Sequence, residues 1–119
     1  MPQKHSTIRH GKRLVWYTDR LWSESRALVP FDVELSSIRE LDQDCWFGQG
    51  KTPTLREIAR HCQRINSANL EQPIILNADG SLMDGGHRVC RAFAEGRTTI
   101  RAVRFESTPD PDEVHDVGA

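Results

Sequence analysis

The sequence lacks any long hydrophobic run, and it contains little cysteine. Only 37% of its 119 residues are hydrophobic, and no apolar segment approaches the roughly 20 residues that a membrane-spanning helix requires. The amino-terminal residues 1–5 (Met-Pro-Gln-Lys-His) lack the apolar segment of a signal peptide. The three cysteines form an odd set without short metal-type spacing, which favours reduced thiols. These absences predict a cytoplasmic protein with no membrane contact and no metal site of its own.

Basic residues are missing from the end of the chain. Residues 107–119 contain four acidic side chains and no Lys or Arg, so the sixteen basic and thirteen acidic residues before them give a net charge of +3. A mildly basic body of this kind can bind phosphates. With Pro109 and Pro111 in the acidic segment, we predict a disordered tail over 107–119 and a flexible amino terminus over 1–12. The length between them, 13–106, fits one domain.

A complete P-loop is also missing, although residues 50–52 (Gly-Lys-Thr) resemble the end of one. The P-loop pattern requires a second glycine five positions earlier, and this chain has Cys45 there. No strand pattern leads directly into the segment. We therefore predict a loop over 42–52 that tucks Trp46 or Phe47 into the body.

Periodic apolar residues predict a small α+β or α/β domain with a compact mixed sheet and two main helices. The first of these helices is expected over Thr54–Asn66, because Thr54 and Glu57 form a capping box at its start. Its apolar residues recur at helical spacing and are expected to face the core; they are Leu55, Ile58, Ala59, Cys62 and Ile65. Three arginines on the opposite side either contact nucleic-acid phosphates or form a solvated face; they are Arg56, Arg60 and Arg64.

Short apolar or alternating runs predict the strands. A hairpin is expected where the strands 73–77 and 81–83 flank the turn 78–80 (Ala-Asp-Gly). A second main helix follows the glycine pair at 85–86 and ends before Gly96; its predicted buried stripe is Val89, Ala92 and Phe93. The other expected elements are strands at 14–17, 31–35 and 98–105, a short helix at 21–28 and a helical turn at 38–41.

The segment 83–92 (Met-Asp-Gly-Gly-His-Arg-Val-Cys-Arg-Ala) is the candidate binding site. Glycines at a strand-to-helix turn leave backbone N–H groups uncovered, and the helix macrodipole adds partial positive charge there. A histidine and two arginines stand beside this turn, which favours an anion site, most naturally for phosphate. The predicted binding residues are Asp84, Gly85, Gly86, His87, Arg88 and Arg91. A tight turn with solvated arginines is the alternative interpretation.

From Leu55 to Phe105 the chain resembles the ParB/sulfiredoxin superfamily. The resemblance rests on the helix that begins at 55–59 (Leu-Arg-Glu-Ile-Ala), the strand at 72–76 (Gln-Pro-Ile-Ile-Leu), the Gly-Gly-His-Arg turn, and the closing segment 95–100. In ParB proteins the corresponding features, in the same order, are a Leu-rich helix, a Gln-Pro-Ile strand, a Gly-Glu-Arg-Arg box and a closing strand. The resemblance implies a ParB/sulfiredoxin-like fold with a phosphate site at the strand-to-helix turn.

Members of the superfamily differ at this turn. Sulfiredoxins carry a nucleophilic cysteine immediately before the His-Arg pair, where this chain has Gly86, so sulfiredoxin activity is not expected. ParB clamps bind CTP with Gly-Glu-Arg-Arg, where this chain reads Gly-His-Arg-Val, and we do not expect the helix-turn-helix region of partition proteins in the residues after Phe105. The free serine kinases carry Asp-Gly-His-His-Arg, which differs at one position from Asp-Gly-Gly-His-Arg at 84–88.

The resemblance implies a protein that binds a nucleotide or another phosphorylated small molecule, with ATP or CTP and Mg²⁺ as candidate cofactors. An NTPase or phosphotransferase also needs a carboxylate that orients the attacking group, and Glu40, Asp42 and Asp44 are the candidates. His87 either binds phosphate, acts as acid or base, or hydrogen-bonds the turn. The alternative is a non-enzymatic accessory of bacterial plasmid, phage or chromosome-partition type that binds DNA or a protein partner. An oligomer is compatible with either interpretation.

Overall fold

The predicted strand-turn-helix order is present in the computed structural model, which describes residues 3–48 and 51–117. Within that part of the chain, three α-helices combine with a three-stranded sheet and a four-stranded mixed sheet. The prediction of a small α+β domain is therefore confirmed. The glycine of the incomplete P-loop, Gly50, lies outside the described residues, as do the two residues at each end of the chain.

The segment 1–12 was predicted to be flexible, but its described residues begin a three-stranded antiparallel sheet that we call sheet A. Strands β1 (Lys4–Arg9) and β2 (Lys12–Tyr17) form a hairpin. The two turn residues, His10 and Gly11, both have positive φ, at 53° and 75°, as a tight two-residue hairpin turn requires. The prediction of a flexible segment failed because β1 is mostly polar and is held by pairing with β2.

The acidic tail was also wrongly predicted to be disordered throughout. Residues Glu113–Asp116 form β7, which pairs with the free side of β2. Two exposed ion pairs accompany this arrangement: Lys4 lies 3.2 Å from Glu113, and Lys12 lies 2.9 Å from Asp116. The negative charge that suggested disorder therefore faces the basic amino-terminal hairpin, and the strand order of sheet A is β1-β2-β7.

Sheet B contains the predicted strands of the middle of the chain. Its order is β3-β6-β4-β5, from β3 (Phe31–Glu34), β4 (Ile74–Leu76), β5 (Leu82–Asp84) and β6 (Thr99–Arg104). The pairs β3/β6 and β4/β5 are antiparallel, and β4/β6 is parallel. The parallel pair needs a crossover, because the chain must return to the same end of the sheet.

The crossover is α3 (Gly86–Ala94), which packs on sheet B through buried Val89 and Ala92. The third residue of its predicted stripe, Phe93, is 62% exposed, so that part of the prediction is wrong. Gly96 follows the helix with φ +77°, in the left-handed conformation expected after a helix end. Helix α1 (Thr18–Ser25) lies earlier than predicted and begins directly after β2.

Helix α2 (Leu55–Ser67) begins as predicted but packs differently. The Thr54 hydroxyl accepts a hydrogen bond of 3.2 Å from the Glu57 N–H, which confirms the cap. The expected burial of the apolar stripe is wrong for four of its five residues: Leu55 is 87% exposed, Ile58 is 44% exposed, and Ala59 and Cys62 are also exposed, whereas Ile65 is half-buried. The helix instead turns a neighbouring face towards the body, where Glu57, His61 and Ile65 are half-buried.

Sheet B is covered on both faces, because its strands alternate between two cores. Ile74 and Leu76 belong to the cluster beneath α3, whereas Ile75 and Met83 belong to a cluster with Trp16 and Leu21 from the amino-terminal segment. Trp16 is 1% exposed, and its Nε1 donates a 2.8 Å hydrogen bond to the Pro109 carbonyl. The first thirty residues thus supply a second layer of the fold. Among the described helices, none is long and apolar enough to cross a membrane.

Candidate functional site

A cleft of about 930 Å³ opens where the β5–α3 turn faces the amino-terminal hairpin. One wall is β1, and another is the segment from Arg39 to Trp46 that follows β3. Helix α2 adds His61 and Arg64. The strand-to-helix turn that the sequence singled out therefore lines this cleft, and the amino-terminal strand completes it.

The amino terminus of α3 is built by glycine. Gly85 has φ +118°, and a Cβ atom there would lie 2.5 Å from Cγ2 of Ile74, so only glycine fits. Among the described residues, no side chain caps the first turn of α3. The first N–H groups of a helix carry partial positive charge. The predicted connection from a strand through Gly85 to a helix is confirmed, and the helix amino terminus opens into the cleft.

Arg88 was expected to be an exposed phosphate ligand, and the expected exposure is wrong. The residue is 8% exposed, and its guanidinium donates to the carbonyls of Gln72 (3.1 Å) and Pro73 (2.6 Å) and to Oδ2 of Asp84 (2.8 Å). Burial lowers the pKa of Arg88, while Asp84 opposes that shift. Through its hydrogen bonds to the two carbonyls, Arg88 ties α3 to the segment before β4.

Arg91 does not line the cleft. Its NH1 group donates to the carbonyls of Asn66 and Ala68, each at 2.7 Å, and its Nε donates to Glu95 at 3.0 Å. The last carbonyls of a helix have no partner within it. Arg91 therefore caps the end of α2, and its predicted place in the phosphate site is wrong.

Asp84 is held in the cleft by two donors from different elements. Its Oδ2 accepts hydrogen bonds from Arg88 and from Nε1 of Trp22, each at 2.8 Å. The Arg88 guanidinium also lies 5.9 Å from the centre of the Trp22 ring. Because these groups fix Asp84, its carboxylate has a defined position beside the amino terminus of α3.

His87 belongs to a ring cluster that the sequence did not indicate. Its Nε2 lies 2.8 Å from Nδ1 of His61 on α2. The indole of Trp46 stacks on both imidazoles, with ring centres 4.3 Å from His61 and 4.6 Å from His87. Burial lowers the pKa of both histidines, and their mutual charge lowers that of His87 further. Both shifts favour the neutral form of the two rings.

His61 and Trp46 are the site residues that sequence reasoning missed. The loop prediction did expect Trp46 or Phe47 to pack into the body, and both are half-buried. Helical periodicity could also have set His61 on the same face as Ile65. Neither signal identifies His87 as the common partner, because the three residues come from separate segments of the chain.

The three candidate catalytic carboxylates have different positions. Asp42 is exposed and does not line the cleft, whereas Glu40 and Asp44 do. Asp44 Oδ1 accepts the N–H groups of Phe47 (2.9 Å) and Trp46 (3.0 Å), which lowers the pKa of Asp44. Oε1 of Glu40 is buried without a hydrogen-bond partner in the described part of the chain. Glu40 therefore differs from Asp44 in that one of its oxygens is buried with no hydrogen-bond donor from the described residues.

His5 connects β1 to these acids. Its ring stacks on Trp16 at 5.7 Å between centres. Burial lowers the pKa of His5, and the nearby negative charges of Glu40 and Asp84 oppose that shift. The cleft is thus lined by side chains of both charge signs, and within 3–48 and 51–117 no three His, Cys, Asp or Glu residues are grouped to hold a metal ion.

The cleft brings together most of the predicted binding residues, namely Asp84, Gly85, Gly86, His87 and Arg88. It adds His61, Trp46 and Arg64, and it excludes Arg91 and Asp42. The resemblance to the ParB/sulfiredoxin superfamily remains a proposal based on the sequence motifs. Comparisons of the chain with protein-family models, with curated proteins and with solved structures found no match.

Proposed function

We propose that the cleft binds a phosphate-containing small molecule, with a nucleotide such as ATP or CTP as the first candidate. The observation that carries this proposal is the uncapped amino terminus of α3, which opens into a cleft beside His87 and Arg64. Backbone N–H groups and the helix dipole favour an anion at such a position. The resemblance to the ParB/sulfiredoxin superfamily supports the same ligand class.

The contacts differ from those that the sequence suggested. The backbone N–H groups of Gly86 and His87 would hold the phosphate, and the buried Arg88 would hold the turn in place behind them. Arg64 would supply the nearby positive side chain. The cleft volume of about 930 Å³ exceeds what a bare phosphate needs, and the indoles of Trp22 and Trp46 offer stacking surface for a base.

Two arginines on α2 provide a matched test. Arg64 lines the cleft, whereas Arg60 lies one turn earlier on the same helix and does not line it. We expect ATP, CTP or inorganic phosphate to stabilise the wild-type chain, by about 2.7 kcal/mol at a ligand concentration of 100 Kd. Arg64→Ala should reduce that stabilisation, and Arg60→Ala should not. The measurement is the melting temperature across the ligand panel.

Two results would contradict this proposal. The first is that no phosphate-containing compound shifts the melting temperature of the wild-type chain. The second is an equal loss from Arg60→Ala and Arg64→Ala, because the cleft contains only one of the two. Equal losses with an oligonucleotide probe would instead favour the accessory function, in which the exposed arginines of α2 contact nucleic acid.

Phosphotransfer is a second candidate, and the buried Oε1 of Glu40 favours it. A carboxylate oxygen without a protein partner can accept the proton of an attacking hydroxyl. We expect Glu40→Gln to abolish conversion of ATP to ADP with a hydroxyl acceptor while ATP binding persists. Asp42→Asn is the control, because Asp42 is exposed outside the cleft. If the wild-type chain binds ATP but does not convert it to ADP, the protein is a binding module and not a phosphotransferase.

A further inference from the structure

We infer that His61 is a positioning residue for His87: it fixes the imidazole at the amino terminus of α3 and determines which ring nitrogen carries the proton. The two nitrogens that face each other, Nδ1 of His61 and Nε2 of His87, are 2.8 Å apart. This is a hydrogen-bond distance. Such a bond contains one proton, which either ring can donate.

The hydrogen bond couples the tautomers of the two rings. If His61 donates from Nδ1, then Nε2 of His87 is the acceptor, and His87 carries its proton on Nδ1. If His87 donates from Nε2, then Nδ1 of His61 is the acceptor, and His61 carries its proton on Nε2. Both neutral rings therefore always have the same tautomer. Any other combination would place two protons or two lone pairs between the nitrogens.

Trp46 keeps the pair in this arrangement. Its indole lies nearly parallel to both imidazoles, at 13° to His61 and 12° to His87, and so covers them together. Asp44 fixes the turn that carries Trp46 by accepting two backbone N–H groups. The indole also approaches the helix start, because a Cβ atom on Gly86 would lie 3.4 Å from Nε1 of Trp46.

Burial and the neighbouring arginines oppose a second proton on the two rings, whereas the neighbouring carboxylates favour it. Arg64 of α2 acts on both rings, and Arg88 of α3 acts on His87. The carboxylates that face the pair are Asp84 of β5, which acts on His87, and Glu57 of α2, which acts on His61. A change of tautomer in the neutral pair moves the shared proton from one ring to the other, while the outer nitrogen of one ring takes up a proton from solvent and the outer nitrogen of the other ring releases one.

An anion in the cleft would select one of the two arrangements. This step rests on the proposed function, since it requires a phosphate at the amino terminus of α3. A negative ligand beside His87 favours the tautomer in which Nδ1 of His87 is a donor. Both rings then become Nδ1–H tautomers. His61 thereby lets His87 act as a donor without requiring a charged imidazole.

The test is nitrogen NMR of the imidazoles in the full chain labelled with ¹⁵N-histidine at neutral pH. In the free wild-type protein, His61 and His87 should have the same tautomer. His61→Asn replaces the ring with an amide that can present either its N–H or its oxygen to Nε2 of His87, so the tautomer ratio of His87 should shift from its wild-type value. His61→Phe keeps a ring beneath Trp46 but offers no donor or acceptor, so His87 should show a mixture of tautomers.

His10→Asn is the control, because His10 lies in the exposed β1–β2 turn at positive φ, which Asn tolerates. It should leave the His87 signals unchanged. Opposite tautomers in the wild-type rings would overturn the inference, as would a His87 signal that both His61 variants leave unchanged. The Asn variant keeps the test decisive if the Phe variant does not fold.

The ligand arm uses inorganic phosphate as the probe. Phosphate should move both rings to the Nδ1–H tautomer, and His61→Phe should bind it up to about tenfold more weakly, because the unpartnered His87 ring must then be immobilised on binding. Phosphate that binds without changing the tautomers would overturn the coupling. If the wild-type chain binds no phosphate, the proposed function fails, while the spectra of the free protein still decide the role of His61.

Discussion

Arg88 is the residue whose role changes most between sequence and structure. An arginine in a Gly-Gly-His-Arg turn suggests an exposed phosphate ligand, but this side chain is buried and donates to Asp84 and to two backbone carbonyls. Its removal would leave a partly buried carboxylate and two carbonyls without these donors. The cost of breaking such a pair exceeds the cost of losing a surface charge.

We therefore expect Arg88→Ala to lower the free energy of unfolding by about 3 kcal/mol. Arg56→Ala, on the exposed side of α2, should change it by less than about 0.5 kcal/mol. Urea denaturation of both variants measures the difference. Equal stabilities of the two variants would mean that the hydrogen bonds of Arg88 contribute nothing in solution. Arg88 would then again be a candidate for an exposed phosphate ligand.

At the residue scale, the strand-to-helix turn that carries the candidate site was predictable from local chemistry. The glycines, Asp84 and His87 were found because a strand-to-helix turn has a recognisable composition. His61 and Trp46 were not, since their contact with His87 joins segments that no local periodicity connects. Arg88 and Arg91 were assigned to a ligand because a sequence shows the charge of a side chain but not the carbonyls around it.

Helix α2 shows the corresponding limit at the scale of an element. Its capping box and helical spacing predicted its boundaries closely. The same spacing could not tell whether the apolar stripe is covered, because periodicity defines a face and not its neighbour. In this fold, the face that meets α3 is the one that carries His61, and the apolar stripe lies beside it.

The exposure of that stripe can be tested by replacing leucine with alanine at an exposed position and at a buried position. Leu55→Ala removes a side chain that is 87% exposed, so we expect a change of less than about 0.5 kcal/mol in the free energy of unfolding. Leu76→Ala removes a buried side chain from the core beneath α3, and we expect a loss of about 2–5 kcal/mol. Urea denaturation again provides the comparison.

A large loss of stability in Leu55→Ala would show that the apolar stripe of α2 is covered in solution. If Leu55→Ala were as destabilising as Leu76→Ala, the stripe would be covered in solution, contrary to its exposure here. Denaturation at several protein concentrations would then separate cover by a second copy, which depends on concentration, from cover within one chain.

At the scale of the whole molecule, the two ends of the chain form a single sheet around β2. Strand β1 pairs on one side of β2 and β7 on the other, although more than 90 residues separate β2 from β7. Trp16 anchors this sheet on sheet B, and β1 forms a wall of the cleft. Composition suggested flexible ends. That prediction failed because strands that pair across so long a stretch of sequence leave no local signal.

Because the two ends are joined through Glu113, the free energy of unfolding should depend on pH in the acidic range. The Glu113 carboxylate accepts a hydrogen bond from the Tyr17 hydroxyl and contacts His115 at 2.8 Å and Lys4 at 3.2 Å. These contacts lower the pKa of Glu113 from its ordinary value of 4.5 to about 2. A group whose pKa is lower in the folded state stabilises that state above its unfolded pKa, and the contribution is lost as pH falls through the folded pKa.

We therefore expect the free energy of unfolding of the wild-type chain to fall between pH 4.5 and pH 2, the interval over which Glu113 becomes protonated. Glu113→Gln keeps an acceptor for Tyr17 but has no charge to lose, so this variant should be less stable at pH 6 and should lose less stability on acidification. Urea denaturation at several pH values measures both slopes. If stability falls equally with pH in the two proteins, Glu113 does not join the ends of the chain in solution. The acid sensitivity would then have to come from other carboxylates. The first of these is Asp112, whose pKa is lowered by the N–H of Tyr17 and by Arg20.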